Sequence, residues 1–140
     1  MCHGYVPITY SKREILKLYY KTNNLKYNDN LHYIKEENRE NKYFLNQEKE
    51  NLTVFNNKPY SLFSYLPELI SSKINSFKID AIFLNEEAIK QSVELYQKGI
   101  DYILNNNEKE FASLKKHFEK NFTYDNPFIE NSSFLLKEGK

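Results

Sequence analysis

The chain has 140 residues, which is enough for one modest domain with a single core. Its 12 tyrosines and 10 phenylalanines, with no tryptophan, predict a core in which every buried tyrosine hydroxyl needs a hydrogen-bond partner. The formal net charge of +1 does not indicate a protein that binds polyanions through its overall field. Cys2 is the single cysteine, which excludes an intrachain disulfide, a zinc finger and a cluster held by this chain's own thiolates.

The sequence contains neither a membrane-spanning apolar run nor the charged-then-apolar start of a signal peptide. We therefore expect a cytoplasmic protein without a membrane partner.

Residues 1–30 predict a strand followed by a helix. Residues 5–10 are mostly apolar but include Pro7, which favours a strand end or an edge strand. Ser11 and Glu14 have capping-box spacing, so Ser11 is predicted to cap the helix rather than to act as a nucleophile. Three apolar residues are predicted to share the buried face of that helix: Ile15, Leu18 and Tyr19. The helix should end in the Asn-rich linker 23–30.

Residues 31–58 predict a small antiparallel β insertion, with short strands at 31–35, 42–46 and 51–55. Residues 59–122 predict a final barrel strand and helices, and residues 123–140 predict an irregular tail. Within the third segment, helical turns are predicted to be broken at Pro67, and 76–79 is predicted to be a buried strand that ends at Asp80.

Two C-terminal helices are indicated. Asn85 can cap a helix that runs to about Leu104, and a second helix is predicted to start at Asn107 with Glu110 in its first turn. The apolar stripe of the first helix comprises Ile89, Val93, Tyr96, Ile100 and Ile103. Apolar positions of the second are Phe111, Leu114, Phe118 and Phe122. Because two core strands do not close a barrel, we expect a partner or a missing N-terminal half to supply the rest.

Several short motifs, in the same order, resemble the collagenase-like peptidase family, peptidase family U32. The stretch "HG-x-x-PI-x-YS-x-R" of that family is similar to His3-Gly4, Pro7-Ile8, Tyr10-Ser11 and Arg13. Its "E-x-R-x-x-x-Y" hairpin resembles residues 36–39 with Tyr43, and its "LPELI…DSLKIDG" signature resembles 66–70 with 76–80. Its "YREAID" helix resembles Tyr96 with Ile100-Asp101, and its terminal "GFLFKE" resembles residues 134–138.

The resemblance implies an α/β fold, the C-terminal part of a TIM-like (β/α) barrel. Members are commonly labelled proteases, and several act in RNA hydroxylation. The Lys-Ile-Asp form of residues 78–80 is similar to the partner subunit implicated in 5-hydroxyuridine formation at the tRNA wobble position, which makes tRNA a candidate partner. The iron–sulfur branch carries cysteines around the first motif, where this chain has Tyr5, Val6 and Glu14, so no cluster is expected here.

The chain departs from the family pattern at several positions. Ala81 replaces the glycine after Lys-Ile-Asp, Gln97 replaces the helix arginine, Ser133 replaces the terminal glycine, and residues 51–53 replace the hairpin "GTH". Glycines supply backbone freedom. Their loss, with the missing half, predicts that this chain alone is inactive.

Four residues are candidates for the site. Asp80 at a strand end is suited to be a general base, a substrate-orienting carboxylate or a metal ligand, and equally a salt-bridge partner of Lys78 or a helix cap. Lys78 and Asp80 project to the same side of a strand. Arg13 offers a planar fork for phosphate or carboxylate, or else a surface salt bridge.

His3 is the fourth candidate, and the alternative for it is a purely structural role. His32 and His117 are predicted to be structural. A Cys2–His3 dyad is not expected, because adjacent strand residues point to opposite faces. The aromatic residues, Tyr19 and Tyr20 among them, could stack bases but should mostly pack the core and hairpins. The sequence thus leaves three readings open: a tRNA-hydroxylating subunit, a collagenase-like peptidase, or a non-catalytic remnant that acts as an interaction module.

Overall fold

A computed structural model describes residues 1–28, 31–35, 37–38 and 41–122. The strands are β1 (His3–Gly4), β2 (Pro7–Ser11), β3 (His32–Lys35), β4 (Lys42–Glu48), β5 (Asn51–Phe55) and β6 (Tyr60–Ser61). The helices are α1 (Ile15–Thr22), a 3-10 turn (Phe63–Tyr65), α2 (Leu66–Ser71), α3 (Glu86–Leu104) and α4 (Glu108–Asn121). The α/β class with antiparallel sheets and C-terminal helices is confirmed, and the described residues form no closed barrel.

The chain divides into two compact units. The first unit combines Met1–Gly4 with the chain from Lys58 onward, and the second unit, Tyr5–Asn57, is inserted between these two parts. The predicted tail 123–140, with its terminal motif at 134–138, lies outside the described residues, as do Glu36 and Arg39 of the hairpin motif.

The second unit is a four-stranded antiparallel sheet in the order β2-β5-β4-β3. The three strands predicted between residues 31 and 55 are confirmed as β3, β4 and β5. Helix α1 covers one face, where Leu16, Leu45 and Leu52 form a small core with Tyr20 and its neighbours. Short β-like segments bounded by charged and Asn-rich turns were sufficient to find these strands, including β3, which is largely exposed.

The predicted start and buried face of α1 are wrong. Ser11 is the last residue of β2, and the helix begins at Ile15 with Glu14 at the N-cap position. The Gln47 side chain of β4 accepts the Leu16 N–H at 3.3 Å, so the sheet satisfies a first-turn donor that the capping box was expected to satisfy. Because Leu16 faces the core, the residues predicted to be buried are exposed: Ile15, Leu18 and Tyr19.

The first unit is built around α3 and α4. Its core contains fully buried Phe63, Leu66 and Phe118, with Leu95 and Phe111 packed beside them. These aromatic side chains come from the 3-10 turn and from α4, so the core joins distant parts of the chain.

Both C-terminal helices are confirmed, with different caps. The Asn85 side chain accepts the Ala88 N–H at 2.8 Å, as the sequence predicts for an N-cap residue. Helix α4 starts one residue after Asn107, which makes no side-chain capping bond in the described part of the chain. On α3 the predicted stripe is partly wrong, because Val93 is exposed.

Two further predictions for the first unit are wrong. Pro67 stands in the first turn of α2 and begins that helix rather than breaking it, since an N-terminal proline sacrifices no helical hydrogen bond. Residues 76–79 do not form a strand; Ile79 alone makes a single parallel bridge with His3. Phe77 and Ile79 are half-buried rather than fully buried. Within the described residues, no helix is long and apolar enough to cross a membrane.

Candidate functional site

The N-terminal residues pair with the segment that ends at Asp80. The Cys2 N–H donates to the Lys78 carbonyl at 2.8 Å, and the Asp80 N–H donates to the His3 carbonyl at 2.8 Å. Together with the parallel bridge between His3 and Ile79, these bonds align β1 with residues 78–80. Three of the four candidate residues are thereby brought into one neighbourhood of the first unit.

Gly4 allows this close alignment. Its φ is +134°, a backbone conformation that L side chains rarely adopt. A Cβ built at Gly4 would lie 2.7 Å from both the Cβ and the carbonyl oxygen of Asp80. The glycine of the His-Gly pair therefore serves to admit the Asp80 backbone, a role that the sequence did not reveal.

The Asp80 carboxylate is held by two partners. Its Oδ1 accepts the Ile82 N–H at 3.2 Å, and its Oδ2 lies 3.2 Å from Lys78 Nζ. The Ile82 hydrogen bond, assisted by the Lys78 ammonium, lowers the pKa of Asp80 below its usual value. The Asp80 side chain is 31% exposed and that of Lys78 is 71% exposed, so both charges face solvent.

The His3 side chain is buried on the Ile79 side of the pairing, opposite to Lys78 and Asp80. It is only 6% exposed, and its Nδ1 has no hydrogen-bond partner in the part of the chain that the structure describes. Its ring meets the Tyr96 ring edge-to-face, with centroids 5.8 Å apart. Burial lowers the pKa of His3, which favours the neutral imidazole.

Tyr96, whose ring contacts His3, belongs to a buried chain of hydrogen bonds. The Tyr96 hydroxyl donates to the Cys2 carbonyl at 2.7 Å and lies 3.0 Å from Ser61 Oγ, which in turn accepts the Phe63 N–H at 3.3 Å. Burial raises the pKa of Tyr96 well above its ordinary value, so it stays a phenol. The expectation that buried tyrosines need partners was the only sequence signal for this network.

Cys2 has the environment of a structural thiol. Its side chain is buried, and Sγ donates to the Lys78 carbonyl at 3.4 Å. Burial raises the pKa of the thiol, whereas a nucleophilic cysteine needs a lowered one. Among the described residues, no group of three or more His, Cys, Asp or Glu side chains is placed to hold a metal ion.

Arg13 belongs to the second unit. It is exposed in the turn between β2 and α1, where its carbonyl accepts the Ile15 N–H at 2.9 Å. The structure therefore brings together the side chains of Lys78 and Asp80, joins His3 to them through the backbone, and leaves Arg13 in a separate unit.

A groove of about 390 Å³ lies between the 77–79 segment and α3, and the sequence did not predict it. Its lining is mainly apolar and includes two polar side chains from α3, those of Gln97 and Asp101. The other lining residues are Phe77, Ile79, Val93, Tyr96 and Ile100. The exposed Val93 and the half-buried Phe77 are explained by this groove. Tyr96 links it to the site, since the same ring lines the groove and contacts His3.

A family model named peptidase family U32 matches residues 1–135 of the chain. Because this match covers nearly the whole chain, the chain belongs to peptidase family U32. No curated protein and no solved structure matches this chain significantly.

Proposed function

We propose that this chain is the C-terminal part of a cytoplasmic enzyme of peptidase family U32 that hydroxylates uridine in tRNA. The observation that carries the proposal is the Lys78–Asp80 pair, 3.2 Å apart and solvent-facing, held next to buried His3 by the pairing with β1. The expected 5-hydroxyuridine chemistry comes from the family resemblance of the Lys-Ile-Asp sequence, and the geometry supports a role for these residues in substrate binding.

The parallel bridge supports a place in a TIM-like barrel. Neighbouring strands of such a barrel are parallel, each is followed by a helix, and active sites lie at the C-terminal strand ends. β1 and residues 78–80 run parallel, and α3 follows the second of them. In this proposal an N-terminal barrel half, from a partner or from a longer polypeptide, supplies the remaining strands.

The charge pair suits the Watson–Crick edge of uracil. That edge presents one N–H donor between two carbonyl acceptors. A carboxylate can accept from the N–H, and an ammonium beside it can donate to a neighbouring carbonyl. Asp80 is ready for this role because its lowered pKa keeps it ionised, and Lys78 Nζ is exposed. His3 acts as a positioning residue: its backbone pairs with this segment, while its buried ring lies on the Ile79 side. Independently of this site, Arg13 of the second unit is proposed to contact tRNA phosphate.

We expect the chain to hold no iron–sulfur cluster, because Cys2 is its single cysteine and donates to a backbone carbonyl. The buried thiol also argues against a cysteine-peptidase mechanism centred on this residue. A collagenase-like peptidase is therefore the weaker reading and serves as an arm of the test.

The test is nucleoside mass spectrometry of total tRNA from cells that lack the gene. The cells are complemented with wild type, with Asp80→Asn, or with Glu94→Gln, a matched change at an exposed α3 carboxylate. We expect 5-hydroxyuridine and nucleosides derived from it to disappear in the deletion and to return with wild type and Glu94→Gln. With Asp80→Asn we expect at least a ten-fold deficit, since the charge-assisted contact is lost.

Unchanged tRNA in the deletion strain would refute the proposal. Collagen-peptide hydrolysis by wild-type cell extract that is lost in the deletion extract would then identify the peptidase, and no difference in either activity would favour a remnant or interaction module. Full recovery by Asp80→Asn would retain tRNA hydroxylation and remove Asp80 from the site.

A further inference from the structure

The sheet of the second unit has a face that α1 does not cover. Strand pairing defines its residues, because directly paired residues lie on the same face. Leu45 and Leu52 point to the α1 side, so their sequence neighbours point away. One row of this face, opposite to α1, therefore runs across three strands through Tyr33, Phe44 and Phe55, which pair successively.

Polar rows flank the aromatic row on both sides. Lys35 pairs with Lys42 on one side, and Lys42 Nζ lies 4.6 Å from the centroid of the Tyr33 ring. On the other side, Asn46 pairs with Thr53 and Thr53 pairs with Tyr10. Lysines, amides and aromatic rings thus alternate across one surface.

The accessible rings of this face are those of its two edge strands. Tyr33 on β3 is 50% exposed and Tyr10 on β2 is 56% exposed, whereas Phe55 is buried and Phe44 is half-buried against Tyr5. Because β5 and β4 separate the two edge strands, the tyrosines stand about 14 Å apart across the sheet. Lys35 and Lys42 are exposed as well.

We infer that this face is a binding surface for single-stranded RNA. Bases stack on exposed aromatic rings irrespective of sequence, and lysines beside the rings neutralise the phosphates that connect the bases. Tyr33 and Tyr10 provide the stacking platforms, Lys35 and Lys42 bind phosphate, and the Asn46 amide meets a base edge. Glu48 lies one row further on and accepts from Asn46 Nδ2 at 2.9 Å, which bounds the surface at that end.

The lysines alone do not distinguish RNA from an acidic peptide, and the exposed tyrosine rings beside them do. Two lysines would attract either polyanion, but a pair of half-exposed tyrosines adds affinity for planar bases. The choice of tRNA as the natural ligand rests on the proposed function, whereas the binding of RNA rests on this face alone.

The experiment is fluorescence anisotropy of the full-length chain with a labelled tRNA and with labelled oligouridine. The test variants are Tyr33→Leu and the double variant Lys35→Gln/Lys42→Gln. The matched controls are Tyr19→Leu, an equally exposed tyrosine on α1, and Lys90→Gln/Lys98→Gln, which removes two exposed charges from α3 of the first unit. Unfolding midpoints of all variants verify that each is folded.

We expect Tyr33→Leu to weaken binding of both RNAs about five-fold or more. The Lys35→Gln/Lys42→Gln variant should weaken binding and reduce the salt slope of the oligouridine affinity by about 1.4, as two phosphate contacts predict. Both controls should stay within about two-fold of wild type, because a contact-free surface substitution has little effect.

Equal losses in the controls and the test variants, or no loss in either, would overturn the inference. So would competition for the surface by polyglutamate at equal charge concentration, which would identify an acidic-peptide site. Normal RNA binding with unchanged cellular tRNA would retain this surface and reject hydroxylation. Absence of RNA binding at this surface, together with the expected tRNA deficit in Asp80→Asn cells, would retain hydroxylation and reject this surface.

Discussion

Each unit is stabilised by its own internal contacts, and the sequence separation of these contacts differs greatly between the two units. In the second unit, β3, β4 and β5 follow one another along the chain and pair in turn with their immediate neighbours. In the first unit, His3 pairs with Ser61 and Ile79, and the Tyr96 hydroxyl reaches the Cys2 carbonyl across 94 positions. Short-range pairing leaves a readable pattern in the sequence, whereas long-range pairing of a two-residue strand does not.

The largest effect is expected from removing the centre of one core at a time. Phe63 is fully buried and touches the rings of Tyr96, Phe111 and Phe118. Phe63→Ala should cost about 3–5 kcal/mol of unfolding free energy, because it leaves a large cavity. Hydrogen exchange should then accelerate throughout the first unit, including the Cys2 and Asp80 amides that pair it with its N-terminus.

Leu45→Ala is the matched variant in the second unit, where the side chain is 7% exposed. It should cost about 2–5 kcal/mol and accelerate exchange in β3, β4 and β5 instead. Equal acceleration of both units by either substitution would mean that they unfold as one cooperative body, and the comparison would fail.

A smaller effect should follow from crowding the contact between β1 and Asp80. Gly4→Ala places a methyl group 2.7 Å from the Asp80 backbone at a φ of +134°, so we expect a loss of about 1–3 kcal/mol in denaturant unfolding. Gly99→Ala is the matched change. There the new Cβ meets the Phe63 ring at 2.8 Å, within a helix that alanine favours. The Gly99→Ala loss would measure overpacking of the core alone, and wild-type stability of Gly4→Ala would contradict a specific role for backbone freedom at Gly4.

Local patterns were enough to predict much of this fold. Short β-like segments between charged and Asn-rich turns located β3, β4 and β5, and the Asn85 cap with its following acidic residues located α3. The start of α1 was missed because Gln47, from a strand 31 positions away, provides the partner that Ser11 was expected to provide. Pro67 was misread because a proline begins a helix as readily as it breaks one.

The candidate site was only partly readable. Lys78 and Asp80 do lie on one side, 3.2 Å apart, although the predicted strand is reduced to a single bridge at Ile79. Gly4 and Tyr96 were not identified as supporting residues, because their roles depend on Asp80 and Cys2 being brought to them by the fold. A sequence shows which groups a chain carries, and only tertiary pairing shows which of them meet.

The smallest predicted effect is a pH dependence of the unfolding free energy of the first unit. Burial lowers the pKa of His3 in the folded chain below the ordinary value of 6.5, so the unfolded chain binds more protons in this range. The unfolding free energy of the first unit should therefore fall as the pH falls from about 7 through 6.5 and below. Asp80, whose folded pKa is also lowered, contributes stability that is lost only near and below its ordinary value of 3.8, outside this window.

His3→Gln should flatten the slope between neutral and mildly acidic pH, measured by denaturant unfolding, while the acidic limb remains. His117→Gln, at an exposed position of α4, is the matched control and should retain the wild-type slope. If His3→Gln left the slope unchanged, protonation of His3 would cost nothing. Its Nδ1, which has no hydrogen-bond partner among the described residues, would then have to be reached by solvent. If the slope disappears, the N-terminal residues are tightly packed in the first unit, as their long-range pairing requires.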